Sequence, residues 1–139
     1  MDGSNRKVSC TVTVRGSVAG LSLTEKAGRV TASSAVSGYD AAYEGSVRAG
    51  TRFTVTPVVS IMDMKTNTAI TPDGNRTLYK KYKLYTDLRC SYYSTNTDVA
   101  TVSNKGRITV KKGTAGSSAN IIVTSADGKY RAILKVNSL

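Results

Sequence analysis

Alternation of apolar and polar residues at every second position is the feature that most limits what this 139-residue chain can fold into. In residues 7–14, Val8, Cys10, Val12 and Val14 share one face while Ser9, Thr11 and Thr13 share the other. That is the pattern of a half-buried strand, whose successive side chains point to opposite sides. Residues 51–59 repeat it with Phe53, Val55 and Val59 inward, and Pro57 marks an edge or a bulge because it has no N–H to donate. Residues 99–102, 107–110 and 120–124 are β-branched runs bounded by Gly, Asn and Ser. Asp127-Gly128, between two such runs, is a hairpin turn, since Gly takes a positive φ freely and Asp tolerates one. It directs Tyr130, Ala132, Leu134 and Val136 to the core. No segment carries a long 3.6-residue apolar period, so the fold class is all-β. The length suits one domain that buries about two-thirds of its unfolded surface.

Two stretches depart from this regularity. Residues 16–46 are rich in Ser, Ala and Gly and read as a long connection with a short strand at Leu21-Ser22-Leu23. Residues 60–87 read as an insertion between two strands, with a hairpin of its own and a Pro72-Asp73-Gly74-Asn75 turn. Within it, residues 78–85 fit helix and strand about equally badly: Leu78, Tyr82 and Tyr85 can share a helical face, and alternation does no better.

Composition narrows the chemistry. The chain has no His, so Ser-His-Asp and Cys-His pairs and the His-containing zinc sites are excluded. Only two Glu and seven scattered Asp are present, which makes a matched acid/base carboxylate pair improbable. No enzyme and no cofactor are expected. The net charge of +11 is spread evenly, at +3, +3 and +5 over residues 1–60, 61–92 and 93–139. It reads first as a solvated basic surface and second as attraction to a polyanion. No apolar run approaches the ~18 residues of a membrane span. Residues 1–6 lead into alternating sequence, so any export or anchor signal is expected outside this chain.

Asp2-Gly3 followed by residues 7–14 echoes Asp127-Gly128 followed by residues 130–136. A repeat shorter than a domain suggests a piece of an array, with residues 1–15 as the last strand of a preceding module and residues 16–139 as the domain itself. The run from Tyr93-Ser94-Thr95-Asn96-Thr97-Asp98-Val99-Ala100-Thr101-Val102 through Gly106-Arg107-Ile108 to Gly113-Thr114-Ala115, continued by residues 121–128, resembles the bacterial immunoglobulin-like group 2 family. Residues 45–55 are a weaker match. The family usually has Trp where Tyr93 stands, and here either Tyr92 is the inward aromatic or a bulge shifts the strand by one. The resemblance implies an immunoglobulin-like antiparallel β-sandwich with an inserted segment. It further implies a non-catalytic spacer or adhesion module of a bacterial cell-surface or secreted protein, with neighbouring Ig-like modules of the same chain as partners.

Two sets of side chains qualify as candidate sites. Tyr79, Lys80, Lys81, Tyr82, Lys83 and Tyr85, continuing toward Tyr92 and Tyr93, interleave rings with cations, as a carbohydrate- or polyanion-binding module does. The competing reading puts two or three rings in a core while the lysines extend to solvent. Cys10 and Cys90, 80 positions apart, have no metal-ligand spacing. They are either buried thiols or, if both strands face one core, a disulfide worth ~4 kcal/mol. Asp73-Gly74-Asn75 lacks the further acidic ligands of a calcium loop and reads as a turn.

Overall fold

The computed structural model describes residues 17–139, apart from Met64, Asp87 and the side chain of Tyr85. The strand expected at residues 7–14, with Cys10, therefore lies outside the described residues. Eleven strands and one short helix follow in the order β1 (Ser17–Thr24), β2 (Val30–Ala32), β3 (Ala41–Val47), β4 (Arg52–Thr54), β5 (Thr56–Asp63), β6 (Thr68–Ile70), α1 (Arg76–Tyr82), β7 (Cys90–Ser94), β8 (Ala100–Val102), β9 (Arg107–Val110), β10 (Ser118–Ser125) and β11 (Arg131–Ser138). One layer of the sandwich is a five-stranded sheet ordered β2-β3-β11-β10-β7. The facing layer is two three-stranded sheets, β1-β5-β6 and β4-β9-β8. These two are joined where β4 runs through Val55 into β5. At Val55 the backbone N–H bonds the Gly106 carbonyl at 3.0 Å, and beyond it the strand exchanges β9 for β1 as its partner.

The core lies between the layers and takes the inward residue of nearly every alternating pair. Phe53, Val55 and Val59, Ile108 and Val110, Ile121 and Val123, and Ala132, Leu134 and Val136 all belong to it. Side chains of this kind contribute about 1.5–3 kcal/mol each when fully buried. Tyr130 is half-buried against the same cluster. The Asp127-Gly128 turn forms with Gly128 at φ 77°, and Asp127 Oδ1 accepts from the Ser125 hydroxyl at 2.6 Å and the Lys129 N–H at 3.1 Å.

Two features differ from the reading of the sequence, and a third decides between its alternatives. Of the stretch 16–46, the described residues 17–46 are a strand region and not mainly a connection. β1 pairs along the whole of β5 with a bulge between Val18 and Gly20, and β2 and β3 add two strands to the edge of the five-stranded sheet. Small side chains hide this pattern because they serve for close approach: a Cβ on Gly45 would stand 3.0 Å from the Arg29 carbonyl oxygen. One pairing is parallel, β3 with β11, because the chain crosses from one layer to the other between β1 and β3. Of the two readings of Pro57 the edge holds: it lies in β5 opposite Leu23, where β5 is paired on one side only because β6 joins it at Ile61, and the bulge is in β1.

The segment from Ile61 onward builds a second, smaller cluster of Ile61, Ile70, Tyr79 and Tyr82, with Leu78 and Leu88 packed against it. Its hairpin is β5–β6, turned through Asn67 at φ 55°.

Candidate functional site

Residues 76–82 are helical because their ends are provided for. Thr71 Oγ1 accepts the Gly74 N–H at 3.0 Å, closing the turn, and Asn75 Oδ1 accepts the Leu78 N–H at 3.1 Å, capping the first turn. Seven residues form barely two turns, too few to be stable alone. What holds the helix is the inward pair Tyr79 and Tyr82, three residues apart on one face.

Both rings are buried, and both hydroxyls are spent inside the chain. Tyr79 donates to the Val59 carbonyl at 2.6 Å, and Tyr82 donates to Asp63 Oδ1 at 3.0 Å. Asp63, itself buried, also accepts the Lys65 N–H at 3.1 Å and the Thr66 hydroxyl at 2.9 Å. Burial pushes the Asp63 carboxyl up. The Thr66, Lys65 N–H and Tyr82 hydrogen bonds, with the Lys65 charge, outweigh it and leave the group below the ordinary Asp value. The hydrogen bond to Asp63, then burial, then the carboxylate charge raise the Tyr82 phenol above its ordinary value, and burial raises that of Tyr79.

The candidate ligand segment is thus divided by the fold. Tyr79 and Tyr82 face inward as core, Lys80, Lys81 and Lys83 are exposed, and Leu84 is 74% exposed beside them. The side chain of Tyr85 lies outside the described residues. Tyr92 is the half-buried aromatic of β7 and lies over Gly106, where an added Cβ would meet its ring at 3.4 Å and collide with the Val55 carbonyl. Tyr93 points outward at 63% exposure, so the strand takes the register with Tyr92 inward and Ser94 buried, its hydroxyl bonded to the Ala100 carbonyl at 2.6 Å. Cys90 is half-buried against the main core, its thiol 3.8 Å from the Leu88 carbonyl, and the pairing with Cys10 lies outside the described residues. Among the described residues no three of Cys, Asp and Glu stand close enough to hold a metal ion. Among the described residues no helix is long and apolar enough to cross a membrane.

A different place on the molecule is concave. On the outer face of the five-stranded sheet a cavity of about 310 Å³ is bounded by Ser33 and Val36 from the loop after β2 and by Glu44, Ser118, Asn120, Ile133 and Lys135 from the strands. Sequence reading missed it, but a signal exists. Ile122 and Ile133 occupy the outward position of strands whose inward positions are already filled by Ile121, Val123, Ala132 and Leu134. Strict alternation would put polar residues there.

Among known families, the bacterial Ig-like domain (group 2) model matches residues 55–136, more than half of the chain. The chain belongs to this family. The match begins at the point where β4 passes into β5, and it includes the small cluster and the later strands through most of β11. Modules of this group are generally non-catalytic and generally occur in extracellular proteins of bacteria. No curated protein matches the chain.

Proposed function

We propose that this domain is a non-catalytic spacer or adhesion module of a bacterial cell-surface or secreted protein, linked in tandem to neighbouring Ig-like modules of the same chain. One observation carries the reading. Ser17 lies opposite Met62 at the far end of β5, whereas Leu139 is bonded to Val47 and Ala49 beside the start of β4. The ten residue steps from Arg52 to Met62 span about 30 Å at the rise of a strand. The chain therefore enters at one pole of the sandwich and leaves at the other, as a module that adds length to an array must. Two copies joined end to end should give a particle whose maximum dimension by small-angle X-ray scattering is close to twice that of one. A compact side-by-side pair would defeat the spacer reading. Recovery of the parent protein only from the cytosol of its bacterium would defeat the surface assignment.

A second reading is favoured by the exposed Lys80, Lys81 and Lys83 with Leu84 at their side, a cationic surface that fits a cell-wall or host-surface polyanion. It predicts retention on heparin that weakens steeply with salt and is lost when the three lysines become Ala.

A further inference from the structure

The outer face of the five-stranded sheet carries a continuous apolar row. Backbone register sets Tyr93 beside Ile122, Ile122 beside Ile133, and Ile133 beside Ala42, across β7, β10, β11 and β3. Three inter-strand steps of about 4.8 Å make the row roughly 14 Å long. Polar rows flank it on both sides: Ser91, Thr124 and Arg131 on one, and Asn120, Lys135 and Glu44 on the other. At the β3 end Val36 rises over Ile133 to form the cavity already described.

The polar groups around this cavity are under-used. Neither the Asn120 side-chain amide nor the Lys135 ammonium bonds another described residue, although Lys135 is in register with Glu44. Glu44 spends one carboxylate oxygen on the Asn137 amide at 2.8 Å. An apolar floor with a few convergent polar groups at its rim is the general form of a small-ligand site.

We infer that this face is a glycan-binding site for an acidic, uronate-bearing oligosaccharide laid along the Tyr93–Ile122–Ile133 row. A pyranose has an apolar C–H face and a rim of hydroxyls. The first packs on the exposed Tyr93 ring and the two isoleucines, and the second meets Asn120 and Glu44. Lys135, which makes no close ion pair although Glu44 is in register with it, selects a carboxylate, in keeping with the chain's +11 charge. A peptide strand is a poorer occupant, because it needs free backbone groups at a sheet edge, and the row crosses the middle of a sheet whose backbone is committed to its ladders. The site is separate from Lys80, Lys81 and Lys83, and it goes beyond the spacer reading without depending on it.

Titration of the ¹⁵N-labelled 139-residue chain with hyaluronan hexasaccharide tests the site, with neutral chitohexaose as the comparison. Saturable amide shifts are expected at Tyr93, Asn120, Ile122, Ile133, Lys135 and the 33–36 loop. Lys135→Ala should weaken binding about tenfold, as the loss of a charge-assisted hydrogen bond does, while Lys135→Arg retains it. Tyr93→Ala should weaken both the acidic and any neutral interaction, and joint replacement of Lys80, Lys81 and Lys83 by Ala should leave the affinity within about twofold, as distant sites act independently. Absence of saturable shifts, equal affinity for chitohexaose, or shifts centred on Lys80–Lys83 would each overturn the proposal. The last of these would instead support the polyanion reading of the helix, and none of the three bears on whether the module is a spacer.

Discussion

The molecule has two cores that are built differently. The main one unites seventeen buried residues from both layers, nearly all aliphatic and most of them on strands held by backbone ladders. The small one rests on Ile61, Ile70, Tyr79 and Tyr82, and it is closed by phenol hydroxyls bonded to the Val59 carbonyl and the Asp63 carboxylate. Non-directional packing spreads the consequence of a lost contact over many neighbours. Directional hydrogen bonds concentrate it on one. The sandwich should accordingly unfold as a unit, and the 60–88 segment should open locally at lower free energy.

That contrast can be broken in a definite order. Leu134→Ala and Gly106→Ala should be the most damaging changes. The first empties the centre of the main core at a cost of about 2–5 kcal/mol. The second forces a Cβ against the Val55 carbonyl at φ 82°, a backbone conformation costing about 1–3 kcal/mol before the clash is counted. Both should lower the midpoint of global urea unfolding. If either altered only the 60–88 amides in hydrogen exchange, the two cores would not be independent in the way described. Tyr79→Phe, which leaves the Val59 carbonyl without its donor, should cost about 1 kcal/mol. Asn75→Ala, which removes the cap of α1, should cost about the same. For both, exchange should speed up at 76–85 while the protection of β10 and β11 is unchanged.

The smallest effect is one of pH. The folded-state pKa of Asp63 is depressed, so its contribution is present above the unfolded value of about 3.9 and is lost as pH falls through the lower folded value. The pKa of Tyr82 is raised, so its contribution is present below about 10 and is lost as pH rises through the folded value. Protection of the helix amides should therefore decline at both extremes before that of the sandwich. Asp63→Asn should abolish the acid arm attributable to this group. An unchanged acid profile in that variant would remove Asp63 from the account.

Legibility in the sequence followed the physics of each segment. The β10–β11 hairpin was plain because Leu134 and Val136 alternate with polar partners and Asp127-Gly128 turns the chain. The Tyr92/Tyr93 alternative is settled by the fold: Leu88, Cys90 and Tyr92 share the apolar parity against Arg89 and Ser91, but a one-residue bulge would have turned Tyr93 inward instead. It is the close fit of Tyr92 over Gly106 that decides. Helix α1 was illegible by period, being seven residues long, although Asn75 at its start is a residue type that caps helices. The burial of Tyr79 and Tyr82 was one of two open readings, and the lysines between them lie outside as that reading held. The cavity beside Ile133 went unseen because an apolar triplet such as Ile121-Ile122-Val123 reads as a well-buried strand, and only the tertiary arrangement shows that its middle member faces out.

The placement of β1 and β11 at opposite poles also determines how the module resists tension. A pull on Ser17 is directed along β1 against β5, and a pull on Leu139 is directed along β11 against β3 and β10. Each terminal strand is then strained lengthwise, with all its ladder bonds sharing the load at once, and not peeled away one bond after another. A module loaded through Ser17 and Leu139 would draw on shear strength, which a sandwich with both ends at one pole would lack.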